Sequence, residues 1–355
     1  MAFTTIDDPT IFFTAFKWTG NGASSRALTG VGFQGDMLWS KPNTGHNHYL
    51  VDRVRGVDNK SLIPDATTAE DTTGTHGHFD SIDADGFTGT LASGGYNFNR
   101  NALEFIAWIW KAGTTFTNDA SSTGIGSIDS TGSVNTDAGF SIVSWTGDGN
   151  TSGTIKHGLS TAPAMIISKN RDGAENWFCY HKSLGATKYI RLNITNAAGS
   201  ATSIWNDTEP TTSVFTVGND TSVNSNNVKY IAYCFADVQG YSKVSGSYVG
   251  NGNADGPFAY TGFKPAFIMI KQSSAARDWI MVDNKRNTFN VVNNRLFPNS
   301  TDAQNTSVDA LDFTSNGFKI RNTNTTVNVS GGTYIFMCFA ENPFVSSTGV
   351  PATAR

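Results

Sequence analysis

Two histidine pairs, His46-Asn47-His48 and His76-Gly77-His78, have the most direct chemical reading in this chain. On an extended strand, side chains at i and i+2 share a face, so each pair offers two imidazoles to one metal ion. A threefold assembly would bring three such pairs to one axis. Asp80, Asp83 and Asp85 follow the second pair, and Asp80-Ser81-Ile82-Asp83-Ala84-Asp85-Gly86 has the oxygen spacing of half a calcium loop. The bidentate acid that completes such a loop does not follow; the next glutamate is Glu104. His48 also falls at the position that tryptophan holds in later repeats, an ordinary strand position. His46, His48, His76 and His78 are therefore metal candidates, and no cofactor is implied.

Other chemistries have less to draw on. There is no Gly-x-Ser-x-Gly elbow, and Cys179, Cys234 and Cys338 lie in apolar runs, where a thiolate is disfavoured. Three cysteines without close spacing give neither a disulfide framework nor a zinc pattern. Paired carboxylates for glycan cleavage would have to come from aspartates in turns, and none stands out; Asp52 and Asp283 align, but among different neighbours. The expectation is a protein that binds and does not catalyse. Trp205 and Tyr96 lie in turn-rich sequence without counterparts elsewhere, which makes them the candidates for stacking on a sugar face.

The elements that would position these residues repeat three times. Trp18-Thr19-Gly20-Asn21-Gly22 returns as Trp145-Thr146-Gly147-Asp148-Gly149 and as Tyr248-Val249-Gly250-Asn251-Gly252. Each is followed by an apolar run closed by lysine: Met37–Lys41, Met165–Lys169 and Phe267–Lys271. Each repeat ends on a third landmark, Phe105–Trp110, Tyr230–Ala236 or Tyr334–Ala340. Both alternating faces of this last run are apolar, so it should be a central strand covered on both sides, within its domain or by a neighbouring copy. Helical periodicity is almost absent, and short strands bounded by Gly, Asn and Asp dominate. A unit of about a hundred residues is too long for a solenoid repeat and suits a small sandwich.

The predicted fold is therefore all-β: three tandem antiparallel β-sandwich modules of lectin or jelly-roll type. Residues 1–16 form an N-terminal attachment segment and 17–139 the first module. Residues 140–240 and 241–346 form the second and third, and 347–355 a tail. The first module is longer, its tryptophan standing 127 residues before the second (145 − 18) against 103 for the next pair (248 − 145). The surplus falls at about 66–97 and in a Gly/Ser/Thr-rich linker at about 114–137, where loops would carry the individual function.

Composition narrows the partners. With 25 basic and 29 acidic residues the net charge is −4, and no Lys/Arg run exists, which argues against nucleic acid and anionic membranes. Only five acids are glutamate, in keeping with aspartate's use in turns. No long apolar segment suggests membrane insertion, and the cysteine pattern suits folding in a reducing cytoplasm. Open strand edges are a liability that oligomerisation would cover, with a homotrimer favoured by analogy.

Several stretches resemble a known family. They are His157-Gly158-Leu159-Ser160-Thr161-Ala162-Pro163, Tyr180-His181-Lys182-Ser183-Leu184-Gly185-Ala186-Thr187, Gly240-Tyr241-Ser242-Lys243 and Phe339-Ala340-Glu341-Asn342-Pro343-Phe344. Together with Met165–Asn170 and Tyr230–Ala236, they are similar to repeat-containing structural proteins of tailed bacteriophages, especially marine ones. The resemblance covers about residues 140–346 and reaches the first repeat through the internal alignment. It implies a virion component assembled in the host cytoplasm, with other virion proteins as partners, and it brings no catalytic residues. A tail fibre or receptor-binding protein recognising a host glycan is the first expectation. A capsid or tail decoration protein is the second, and a surface-polysaccharide depolymerase the third.

Overall fold

Each repeat opens on a strand that runs into a glycine turn, and the turn is built the same way three times. The computed structural model describes residues 3–74, 77–91, 98–308 and 310–353. At Gly20, Gly147 and Gly250 a Cβ would stand 2.0, 2.3 and 2.2 Å from the carbonyl oxygens of Arg100, Ser225 and Val329, so only glycine fits. Gly22, Gly149 and Gly252 have φ of 74°, 73° and 70°, the left-handed region that glycine enters without a Cβ clash. A buried asparagine locks each turn: Asn99, Asn224 and Asn328 accept from the backbone N–H of Asn21, Asp148 and Asn251 at 3.1, 3.1 and 2.8 Å. Their amides donate onward to the carbonyls of Ala23, Asn150 and Asn253. The repeated sequence is thus a repeated packing solution.

Each module is a sandwich of an inner and an outer antiparallel sheet, and the chain is all-β. The first inner sheet runs in the order Phe13–Thr19, Glu104–Trp110, Met37–Pro42, Tyr49–Asp52. Its equivalents are Phe140–Thr146, Lys229–Phe235, Met165–Asn170, Phe178–His181 and Ser242–Val249, Thr333–Pro343, Phe263–Gln272, Trp279–Asp283. The outer sheets are smaller: Ser25–Thr29, Gly86–Thr90 and His78–Asp83; Gly153–Lys156 with Val214–Val217; Phe258–Tyr260, Gly317–Ile320 and Leu311–Thr314.

The landmark strand that closes each repeat divides its side chains between two cores. Phe105, Ala107 and Ile109 face their own module, as do Tyr230, Ala232 and Cys234, and Tyr334, Phe336 and Cys338. The alternate residues Ile106, Trp108 and Trp110 share one core with Ile231, Tyr233 and Phe235 and with Ile335, Met337 and Phe339. The three inner sheets therefore turn one face each toward a common centre. There Trp110, Phe235 and Phe339, the same position in each repeat, form a triangle with ring centroids 6.1, 5.6 and 5.9 Å apart. The threefold arrangement is closed within a single chain.

Two features differ from the sequence expectation. Thr114–Asn118 and Ser130–Asn135, read as part of a linker of the first module, pair with each other and with Phe140–Thr146, adding two strands to one edge of the second inner sheet; Lys188–Arg191 and Gly199–Ser200 on the other edge bring it to eight. Their Thr-rich sequence favours extended backbone, and Gly132 permits the approach, since a Cβ there would meet the Ile142 carbonyl oxygen at 2.3 Å. At the N-terminus, the first strand starts at Phe13, inside the segment assigned to attachment. Ile6 enters the common core, Thr4 Oγ1 donates to the Gln239 carbonyl at 2.8 Å, and Asp7 accepts the backbone N–H of Ser347 at 2.6 Å. Both ends are thereby tied to the body.

Because one core joins the modules, urea should unfold the chain in a single transition seen alike by fluorescence and circular dichroism. Trp110→Ala should cost about 3–5 kcal/mol, the usual range for a buried tryptophan. Separate transitions for separate repeats, or a loss under about 1 kcal/mol, would show that the centre does not hold the modules together.

Candidate functional site

The lysine that closes each apolar run is buried, and each has the same surroundings. Lys41, Lys169 and Lys271 are 0% exposed. Lys169 Nζ donates to the carbonyls of Gly173 and Glu175 in its own following loop and of Thr67 in the first module, at 3.2, 3.0 and 3.0 Å. Lys271 Nζ donates to Ala275 and Arg277 and, across the next junction, to Thr195 at 2.9 Å. Lys41 Nζ donates to Thr44 and His46 and, closing the ring, to Thr301 at 3.3 Å. Thr67, Thr195 and Thr301 occupy equivalent positions. Every ammonium is thus caged by carbonyls, one of them supplied by the preceding module.

A second contact runs beside each lysine. Trp177 Nε1 donates to the Ile63 carbonyl at 3.1 Å, and Trp279 Nε1 to that of Arg191 at 2.9 Å. The first repeat has His48 here. Trp39 Nε1 donates to its Nδ1 at 3.0 Å, so the proton sits on Nε2, which donates to the Phe297 carbonyl at 2.9 Å. Burial, with the charge of Lys41 next, holds His48 well below the ordinary histidine range, so it is neutral. With both nitrogens engaged, His48 is no metal ligand. It does the work of an indole N–H.

A third contact ends the fourth inner strand. Asp52 Oδ2 accepts from Arg55 Nε at 2.6 Å and from the Tyr233 hydroxyl of the second module at 2.7 Å. Asp283 Oδ2 accepts from Arg286 Nε at 2.6 Å and from Trp108 Nε1 of the first module at 3.2 Å. His181 replaces the aspartate at the remaining junction. Ser183 N–H donates to its Nδ1, leaving Nε2–H to donate to the Phe336 carbonyl at 3.3 Å. Burial pushes His181 down to about 4. Asp52 and Asp283 are therefore ion-paired junction residues. The signal was present in sequence as a shared Asp-x-x-Arg spacing.

The remaining candidates are dispersed. Trp205 is 2% exposed, packed against Tyr180 in the second module's core with ring centroids 6.2 Å apart, so no ligand reaches its face. Tyr96 and His76 lie outside the described residues. Asp83 accepts from Ser81 and Thr88, and Asp85 from the backbone N–H of Gly30 and Gly32, so these acids brace loops and do not open toward an ion. His46 is half-buried, and its carbonyl is one of the Lys41 acceptors. His78 Nε2 lies 2.8 Å from Asp80 Oδ1 and 3.5 Å from Asp58 Oδ1, a three-donor group on the outer face of the first module. All three cysteines are buried free thiols whose pKa is raised by desolvation. Sequence reading missed the exposed rings Phe258, Tyr260 and Phe289, because aromatics in short strand-like runs look like core.

Among the described residues no helix is long and apolar enough to cross a membrane. The chain belongs to the family defined by the domain of unknown function DUF7483, whose match spans residues 8–343. No curated protein and no solved structure matches it.

Replacing Lys169 by Met should cost about 3 kcal/mol or more, because three carbonyls lose their donor in a dry site. Desolvation holds the three lysines down at about 8, against an ordinary 10.5. Between those values the unfolded chain binds more protons than the folded one, so stability should rise with pH across that window, and rise less in the variant. Urea midpoints measured from pH 7 to 11 check both. A thiol-reactive disulfide should label none of the cysteines in native protein and all of them in urea.

Proposed function

We propose that this member of the DUF7483 family is a tailed-phage virion component, a tail-fibre or receptor-binding ring that engages a host surface glycan without cleaving it. One observation carries the non-catalytic half. The buried ionisable groups that recur from repeat to repeat are spent on the junctions, where each already has its full set of partners. A reactive centre needs a group whose partner is the substrate. The virion half rests on the resemblance of residues 140–346 to phage structural proteins.

The glycan half is supported by where the repeats differ. Phe258 and Tyr260 flank buried Ala259 on a strand of the third outer sheet, so both rings project outward, 47% and 56% exposed. Exposed aromatic faces are what sugar rings stack on. A second reading, a decoration protein, draws on another contact: Phe3 packs on Phe344 at 6.2 Å and Asp7 holds Ser347, which brings these two segments to one spot that could serve attachment.

Electron cryomicroscopy of the intact particle should place the chain at the distal tail, and purified protein should bind host cells and leave no new reducing ends in their polysaccharide. A position on the capsid lattice with no cell binding would establish the decoration reading. New reducing ends would establish the depolymerase.

A further inference from the structure

The ring has three equivalent junctions, and they are not equally filled. Between the first and second modules Arg171 lies across the cleft, its Nε 2.5 Å from Glu70 Oε2, with Arg55 3.4 Å from the other carboxylate oxygen and Ser144 Oγ within 3.4 Å of the Arg171 guanidinium. Between the third and first modules Arg286 reaches Gln304 at 3.3 Å and Asn43 reaches Glu104 at 3.1 Å, leaving about 30 Å³. Between the second and third, Ala198 stands where the others have Glu70 and Gln304, Ser273 where they have Arg171 and Asn43, and Leu184 where they have Arg55 and Arg286. The backbone contact is the same: the N–H of Glu70, Ala198 and Gln304 donates to the carbonyl of Arg171, Ser273 and Asn43. Only the side chains have shrunk, and a cleft of about 610 Å³ is open in their place.

We propose that this cleft is a binding site for an oligosaccharide that is neutral or carries one acidic sugar. The volume falls in the range of ligand sites, about 300–1,000 Å³. Its polar lining is mostly hydroxyl, from Ser183, Ser247, Ser273, Ser274 and Thr333, groups that both donate and accept and so match sugar hydroxyls in either sense. Val249, 58% exposed, and the half-buried Leu184, Ala197 and Ala198 give the cleft an apolar patch for a sugar's C–H face. Among the described residues no carboxylate lines the cleft, and Lys188 is the single cation there. A strongly anionic ligand would lack counter-charge, whereas one uronate would meet the lysine. The site is built by deletion of the side chains that close its two counterparts.

This inference names the ligand class and place for the glycan-binding reading above, and rests on it. The test is binding of the intact protein to an array of neutral and uronate-bearing oligosaccharides, with the best-bound glycan then titrated calorimetrically. Ala198→Glu with Ser273→Arg installs the pair that fills the first junction and should weaken binding by at least about tenfold. Ser247→Lys places in the cleft the residue that Lys17 represents in the closed junction, at an exposed position that the fold does not depend on, and should weaken it likewise. Thermal midpoints show that both variants are folded. Glycan binding undiminished in the folded variants would overturn the cleft and leave the receptor-binding reading standing, with the outer-face rings as its site. A wild-type protein that binds host cells but no glycan on the array would overturn the ligand class. One that binds neither would overturn both readings.

Discussion

A buried ammonium is the constraint from which the rest of this structure follows. Moving a lysine head group out of water costs several kcal/mol, and carbonyl oxygens offset that only when enough of them converge. In each module the loop after the lysine-bearing strand brings carbonyls to its own lysine, but the cage takes a further oxygen from Thr67, Thr195 or Thr301 of the preceding module. No module can complete its own cage. Association in a closed cycle is therefore built into the local chemistry of each repeat, and the apolar faces of the three inner sheets, which would otherwise meet water, are brought together by the same closure.

The junction tolerates variation where the physics is preserved. His48 stands in for tryptophan because a neutral imidazole, its tautomer set by Trp39, offers one N–H in a similar direction. His181 stands in for an Asp–Arg pair by donating to a backbone carbonyl instead of accepting from a side chain. The lysine itself is retained in all three repeats. A shorter or apolar residue would leave carbonyls unpaired, and arginine's planar fork would not fit a cage shaped for a compact head group. What varies freely is the layer outside these contacts.

The repeats, the all-β class and the double coverage of the landmark strand were legible because they are written in local periodicity: alternating residues and glycine turns constrain their own neighbourhood. The common core was only half legible. An apolar second face says that something covers it, and nothing local says that two other copies do. Residues 114–135 misled because edge strands at a solvent-facing sheet are as polar as a linker, with Thr and Ser serving either use. Trp205 misled in the opposite sense, since a tryptophan in turn-rich sequence can fold inward through a single helical turn, Thr202–Trp205. The lysine was visible as a landmark but not as a buried one, because its acceptors are backbone carbonyls, which leave no mark in a side-chain pattern. The junction cleft lay beyond reach for the same reason: it is defined by side chains from two modules.

A single chain can do something that a homotrimer of identical modules cannot. Symmetry would force three equal junctions, all open or all filled. Joining the modules covalently keeps them at high effective concentration, so the ring does not need every junction to be optimised. Arg171 with Glu70 strengthens one junction, and Arg286 with Gln304 on one side and Asn43 with Glu104 on the other fill another. The third keeps its backbone hydrogen bond, lysine cage and indole contact, yet carries Ala198, Ser273 and Leu184 where the others carry charged or amide side chains. Its stability is underwritten by the other two and by the common core, which leaves its surface available for recognition. Repetition with covalent linkage thus separates the residues that hold the ring from those that differ between its thirds, and function is to be sought among the latter.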